Sequence, residues 1–171
     1  MSARIVRTVV LLALTLALVG CSSSSGIKID APSTPTPSVG PTPAPMGTRA
    51  RSGDWSIVIN RSRRMGTVSG VSAGKGNQML VLDFEIHNGS TLSGDVNLTS
   101  FVLNDEARAE IRSVRLPSSH FVSNNPIAVP GGTTRRFTIV YRISKGGGPF
   151  VWRFWPSVQS AQPKPAVLAV R

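Results

Sequence analysis

In MLVLDFEIHN, residues 79–88, Leu80, Leu82, Phe84 and Ile86 fall on one side of the chain and Val81, Asp83, Glu85 and His87 on the other. RFTIVYRI repeats the pattern, with Phe137, Ile139, Tyr141 and Ile143 alternating with Thr138, Val140 and Arg142. Near residue 55, Trp55, Ile57 and Ile59 alternate with Ser56, Val58 and Asn60. A period of two is that of a half-buried antiparallel strand, because successive side chains leave opposite faces. Shorter strands are predicted at 96–98, 101–103, 107–114, 127–129, 151–155 and 166–170. Turn-formers separate them at Ser72–Gly76, Asn88–Gly94, Asn104–Glu106, Pro117–Asn125, Pro130–Gly132 and Lys145–Pro149. Many short strands with Gly, Pro and Asn punctuation predict an all-β sandwich or barrel. No helical repeat or internal repeat follows residue 50, and the span from Trp55 to Arg171 has room for one core.

The first 20 residues obey a different pattern. Arg4 and Arg7 precede an uncharged run, TVVLLALTLALVG, from Thr8 to Gly20. A positive start, a short apolar stretch and a small residue at its end describe a secretory signal, too short to span a bilayer as a helix. The run ends at Cys21, the one cysteine of 171 residues. Leu18-Val19-Gly20-Cys21 resembles the lipobox of bacterial lipoproteins. That resemblance implies cleavage between Gly20 and Cys21 and a diacylglycerol thioether on Cys21, holding the chain to the cell membrane or outer membrane. With that thiol acylated no internal disulfide forms, so the folded part must rest on its apolar core. Residues 21–53 are rich in Ser, Thr, Gly and Pro and carry six of the 13 prolines. Such a segment is expected to be a disordered tether, reaching on the order of 90 Å if extended as polyproline II. The organisation is therefore a signal peptide over 1–20, a tether over 21–53 and a domain over 54–171.

Within the domain, the order W-x-I-x-I, LVLDFEIHN, VNLTSFVLND and VPGGTTRRFTIVYRI resembles a family of bacterial secreted and lipid-anchored domains. These are the immunoglobulin-like sandwiches related to the mycobacterial immunoprotective extracellular protein. The resemblance implies an immunoglobulin-like antiparallel β-sandwich over most of 54–171. Its motifs are those of a fold and carry over no catalytic or binding residue. Asn104-Asp105-Glu106 stands where a glycine is common in such domains. The Cys…Trp…Cys core of immunoglobulin domains proper is absent.

Candidate chemistry changes this picture little. The domain has no cysteine, and its two histidines, His87 and His120, are 33 positions apart, without metal-site spacing. Asp83 and Glu85 share a strand face, an arrangement for a weak cation site or acid pair, or for a solvated face with Arg142 as cross-strand partner. Gly74-Lys75-Gly76 and Gly146–Gly148 lack the Lys-Ser/Thr helix start of a phosphate cradle and read as hairpin loops. Three triplets, at Asn60, Asn88 and Asn97, match the N-x-S/T acceptor pattern. No catalytic residue, metal or cofactor is expected.

Charge is the remaining signal. Arg4 and Arg7 take two of the 19 basic residues with the signal, leaving 17 against eight acidic residues, a net charge near +9. This favours anionic envelope polymers, lipid head groups or acidic proteins over nucleic acid, which an exported chain does not meet. Arg61, Arg63 and Arg64, with Arg135 and Arg136 after the Pro130–Gly132 turn, are expected to form an anion-binding patch if they meet at one end. The alternative is that these arginines are dispersed and solvate the surface. Two functions stand open: a lipid-anchored interaction module with a monomeric sandwich, or a carrier of a small apolar ligand between the sheets, lined by Trp152, Phe154 and Trp155.

Overall fold

The computed structural model describes residues 42–116, 121–156 and 164–171. Signal peptide, Gly20, Cys21, the tether up to residue 41 and His120 lie outside the described residues. The strands are β1 (Ala50–Ser52), β2 (Trp55–Met65), β3 (Thr67–Val68), β4 (Val71–Ser72), β5 (Asn77–Asn88) and β6 (Gly94–Val96). They continue with β7 (Phe101–Asn104), β8 (Glu110–Ile111), β9 (Ile127–Val129), β10 (Thr134–Ser144), β11 (Phe150–Phe154) and β12 (Ala166–Val170). One four-stranded sheet runs β1-β2-β5-β10 and the other β12-β11-β7-β8, with β3–β4 and β6–β9 as two-stranded pairs. Every paired strand is antiparallel, and the fold is the expected β-sandwich.

The alternation read from the sequence sets the first sheet. Leu80 pairs with Tyr141, Leu82 with Ile139 and Phe84 with Phe137, and all face the second sheet. The second sheet answers with Phe101, Leu103, Phe150, Trp152, Phe154, Leu168 and Val170. Fully burying each such side chain contributes about 1.5–3 kcal/mol. The aromatic side chains interlock: Phe84 meets Trp152 edge-on at 4.9 Å, and Trp152 and Phe154 stack on Phe101 at 5.2 and 5.3 Å.

Four elements differ from the sequence reading. The chain joins the fold before residue 54: Ala44 donates to Val167 O at 2.9 Å and accepts from Ala169 N at 2.8 Å, and β1 pairs with β2. The outer face of the first sheet is not wholly solvated. Val81 and Val140, assigned to it by alternation, are buried with Val68, Ala73, Met79 and Leu116 in a second small core. The β3–β4 hairpin and the segments on either side of residues 117–120 cover it, so a polar-looking face carries apolar residues at one end. The expected strand at 107–114 shrinks to β8, because Arg108 adopts a left-handed φ of 63° and only Ser113 bridges onward to Tyr141. The strand expected at 96–98 ends at Val96, and a single 3₁₀ turn, Leu98–Ser100, follows, capped by Asn97.

Candidate interaction surfaces

β2 runs five residues past Asn60, through a bulge. The register steps between Ile59, opposite Phe84, and Arg61, opposite Asp83, leaving Asn60 unpaired. Strict alternation from Trp55, Ile57 and Ile59 places Arg61 and Arg63 in the core. The inserted residue reverses the parity, as bulges do. Arg61 and Arg63 now share the outer face with Asp83 and Val81, while Ser62 and Arg64 sit opposite the core residues Leu82 and Leu80.

The five arginines therefore do not form one patch. Arg63 Nη2 lies 2.7 Å from Asp83 Oδ2, and Arg136 Nε lies 2.7 Å from Glu85 Oε1. Thr138 Oγ1 donates to the second Asp83 oxygen at 2.8 Å, and His87 Nδ1 lies 3.1 Å from Thr134 Oγ1. The outer face is a ladder of alternating charge with the two carboxylates of β5 at its centre. Arg142, the partner expected for these carboxylates, stands opposite Met79, four positions along β5 from Asp83. Arg135 pairs with Ile86 on the other parity. Among the described residues no three His, Cys, Asp or Glu side chains gather as metal ligands.

Arg64 goes elsewhere. It reaches the end of the sandwich where β10, β11 and β12 meet their loops. Its Nη1 donates to Gly147 O at 2.9 Å, and its guanidinium lies over the Phe150 ring, 5.9 Å from the centroid. Gly148 has a φ of 121°, and a side-chain carbon there would meet Arg64 Nη2 and Phe150 at 3.1 Å. Arg64, Gly146–Pro149 and Arg171 enclose an open cleft of about 470 Å³. Lys145 donates its backbone N–H to Gly76 O at 3.0 Å, which joins the two glycine-rich loops and brings Lys75 and Lys145 to the same end. Sequence reading missed this grouping, since those loops stand 70 residues apart in the chain.

The opposite end carries a rigid loop. Asn88 is fully buried; its Nδ2 donates to Leu92 O and Val129 O at 2.8 and 2.9 Å, and its Oδ1 accepts from Ser90 N and Ser90 Oγ at 3.0 and 2.7 Å. Gly131 is pressed against Ser90 O and Thr91 O, 2.6 and 2.7 Å from where a side-chain carbon would stand. The interior holds two of the three aromatic residues assigned to the carrier pocket. Trp152 and Phe154 are buried among Phe84 and Phe101, and Trp152 Nε1–H donates to Tyr141 Oη at 2.7 Å. Burial pushes the Tyr141 phenol above its usual range; the Trp152 bond opposes that and the Glu110 charge adds to it. These residues fill the space between the sheets. Trp155 is half-buried, its backbone N–H on Ser100 O.

No protein-family model matches the chain, and no curated protein does. Solved structures do. A protein of Bacillus subtilis, ycdA, described as a candidate lipoprotein, superposes with a TM-score of 0.62 at 11% identity, covering 72% of this chain. This chain spans only 38% of that one. The yjhA protein of Bacillus subtilis gives 0.59 at 12% identity, covering 75% of this chain and 99% of its own. A secreted protein of Mycobacterium tuberculosis, MPT63, gives 0.51 at 11% identity over 77% and 99%. At these identities the likeness is one of fold, a β-sandwich.

Proposed function

We propose that this protein is a lipid-anchored lipoprotein of the bacterial cell envelope that holds a β-sandwich interaction module on a Pro-rich tether. The observation that carries the reading is the placement of the single cysteine. Cys21 ends an uncharged run that begins after Arg4 and Arg7, directly behind the small residue Gly20. Two structural relatives fit the same address, one a candidate lipoprotein and one a secreted protein. The particular relation to the mycobacterial immunoprotective family belongs to this proposal. Two or three acyl chains on Cys21 anchor stably where a single chain does not. The module reading is favoured over the carrier because Trp152 and Phe154 are spent on packing against Phe84 and Phe101. It assigns the sandwich a binding role and no catalytic one.

The test is the variant Cys21→Ser expressed in a bacterial host. The wild-type chain is expected in the detergent phase on phase separation, and the variant in the aqueous phase with its signal uncleaved at Gly20. Equal partitioning of the two would overturn the anchor.

A further inference from the structure

Arg64 is held in place without its charge being neutralised. A carbonyl, an aromatic ring and the Gln78 amide oxygen, the last at 2.9 Å in the amide orientation that satisfies its neighbours, fix the guanidinium. None of the three is an anion. Arg63 and Arg136, by contrast, are each spent on a carboxylate. Among the described residues neither Arg64 nor Arg171 forms an ion pair, and Arg64 Nη2, beside Gly148 in the lining of the cleft, has no hydrogen-bond partner there. A guanidinium already positioned, with donors free, is a preorganised anion receptor: its planar fork matches a phosphate or carboxylate edge, and little freedom is left to lose on binding. Arg171 lines the same cleft, and the backbone bond between Lys145 and Gly76 brings the loops of Lys75 and Lys145 to this end of the sandwich. Asp105 and Glu106 border the other side of the Gly147–Phe150 segment, and Asp105 Oδ1 is occupied by Ala109 N–H at 2.8 Å.

The position of the cleft indicates what it meets. Residues 42–44 run parallel to β12, so the chain arrives from the Ala166 end, whereas the cleft lies at the Val170 end. We propose that the Arg64–Arg171 cleft binds the phosphodiester groups of an anionic polymer of the cell envelope, on the face turned away from the point where the tether enters. Four cations, from β2, the end of β12 and two loops, suit a chain of repeated charges better than a single ion. The choice of an envelope polymer rests on the envelope reading above. Binding and Cys21-dependent partitioning are separate readouts, so either fails without the other.

The experiment uses the full chain purified in detergent and three probes: poly(glycerol phosphate), phosphatidylglycerol vesicles against phosphatidylcholine vesicles, and polyglutamate. The wild type is expected to bind the glycerol phosphate polymer, with affinity falling as salt rises. The pair Arg64→Gln with Arg171→Gln should weaken binding about tenfold or more, the loss of two charge-assisted contacts, and flatten the salt dependence. Arg64→Lys should recover only part of it, since an ammonium lacks the fork. Arg61→Gln with Arg135→Gln, two exposed arginines outside the cleft, is the control and should change affinity less than about twofold. Equal loss in the control, or no wild-type binding at low salt, overturns the cleft. Binding to phosphatidylglycerol vesicles without polymer binding overturns the polymer in favour of the membrane. Equal affinity for polyglutamate overturns the selection of phosphate. Unchanged circular dichroism of each variant excludes misfolding as the cause of any loss.

Discussion

Tyr141 shows how one buried side chain ties stability to pH. Its hydroxyl accepts the Trp152 indole N–H in the middle of the core. In the unfolded chain a tyrosine ionises near pH 10; in the fold, burial holds the proton to higher pH. The folded state thus binds the proton more tightly, so stability is untouched below about pH 10 and falls as pH rises beyond it. Tyr141→Phe leaves the indole N–H without an acceptor and is expected to cost about 1–3 kcal/mol at pH 7. That deficit should shrink at pH 10.5 in urea unfolding, because only the wild type loses stability there. A deficit equal at both pH values removes Tyr141 as the source. The N-x-S/T triplets teach a second lesson at this scale. Asn88 Oδ1 accepts from Ser90 N and Oγ, and Asn97 Oδ1 accepts from Thr99 N and Oγ1 at 3.0 and 2.6 Å. What reads as a modification acceptor is in both cases a turn closed by an Asn side chain, a common use of Asn followed two residues later by Ser or Thr.

Among elements, β2 leaves half of its length at an open edge. β1 covers it from Trp55 to Ile57, and Gly47 N–H reaches Ile59 O; from Asn60 to Met65 it pairs only with β5 among the described residues. Open edges invite pairing with other chains, and charged side chains on them prevent it. Arg61, Arg63 and Arg64 stand on this stretch, which gives the RSRR cluster a role independent of any ligand. Arg61→Val with Arg63→Val is expected to raise light scattering on mild heating, with thioflavin-positive aggregates forming below the wild-type threshold. Unchanged scattering would show that the edge needs no guard. The strands β5 and β10 were legible because each keeps one face wholly apolar over four alternate positions. The outcome for the arginines was not, since one unpaired residue, Asn60, reverses the parity of all that follow and carries no compositional mark. Nor was the second core: Val81 and Val140 look like strays on a polar face until the β3–β4 hairpin folds over them. The cleft was illegible for another reason, because its walls come from three distant segments and only the register of β2, β5, β10, β11 and β12 brings them together.

For the whole molecule, the boundary of the domain matters more than its interior. A chain beginning at residue 42 retains the Ala44 pairing and β1, with Ser52 Oγ donating to Lys164 O at 2.8 Å. One beginning at residue 54 loses all of these and uncovers the edge of β2 at Trp55. The longer chain is expected to fold as a monomer with a β-type circular dichroism spectrum and no need of reductant or metal. The shorter one should be less stable by at least about 2 kcal/mol, a fall of roughly 5–10 °C in the thermal midpoint. Equal midpoints would return residues 42–53 to the tether.

The way Ala44 lies beside β12 gives the molecule a mechanical character. A pull on the chain from its N-terminal side runs along the axis of β12, so the two bonds of Ala44, to Val167 and Ala169, are loaded together in shear. Beyond them, β1 is held to β2 by three residue pairs. These contacts are few, though Ala50 and Ser52 are themselves buried, while Trp55 and the strands it leads into carry most of the core. Under tension the segment from Ala44 to Ser52 is expected to yield first and to lengthen the line by at most roughly 30 Å at about 3.3 Å per residue, leaving the sandwich intact. On an anchored chain such a junction is expected to act as a shock absorber, giving up a few contacts under load and restoring them when it slackens.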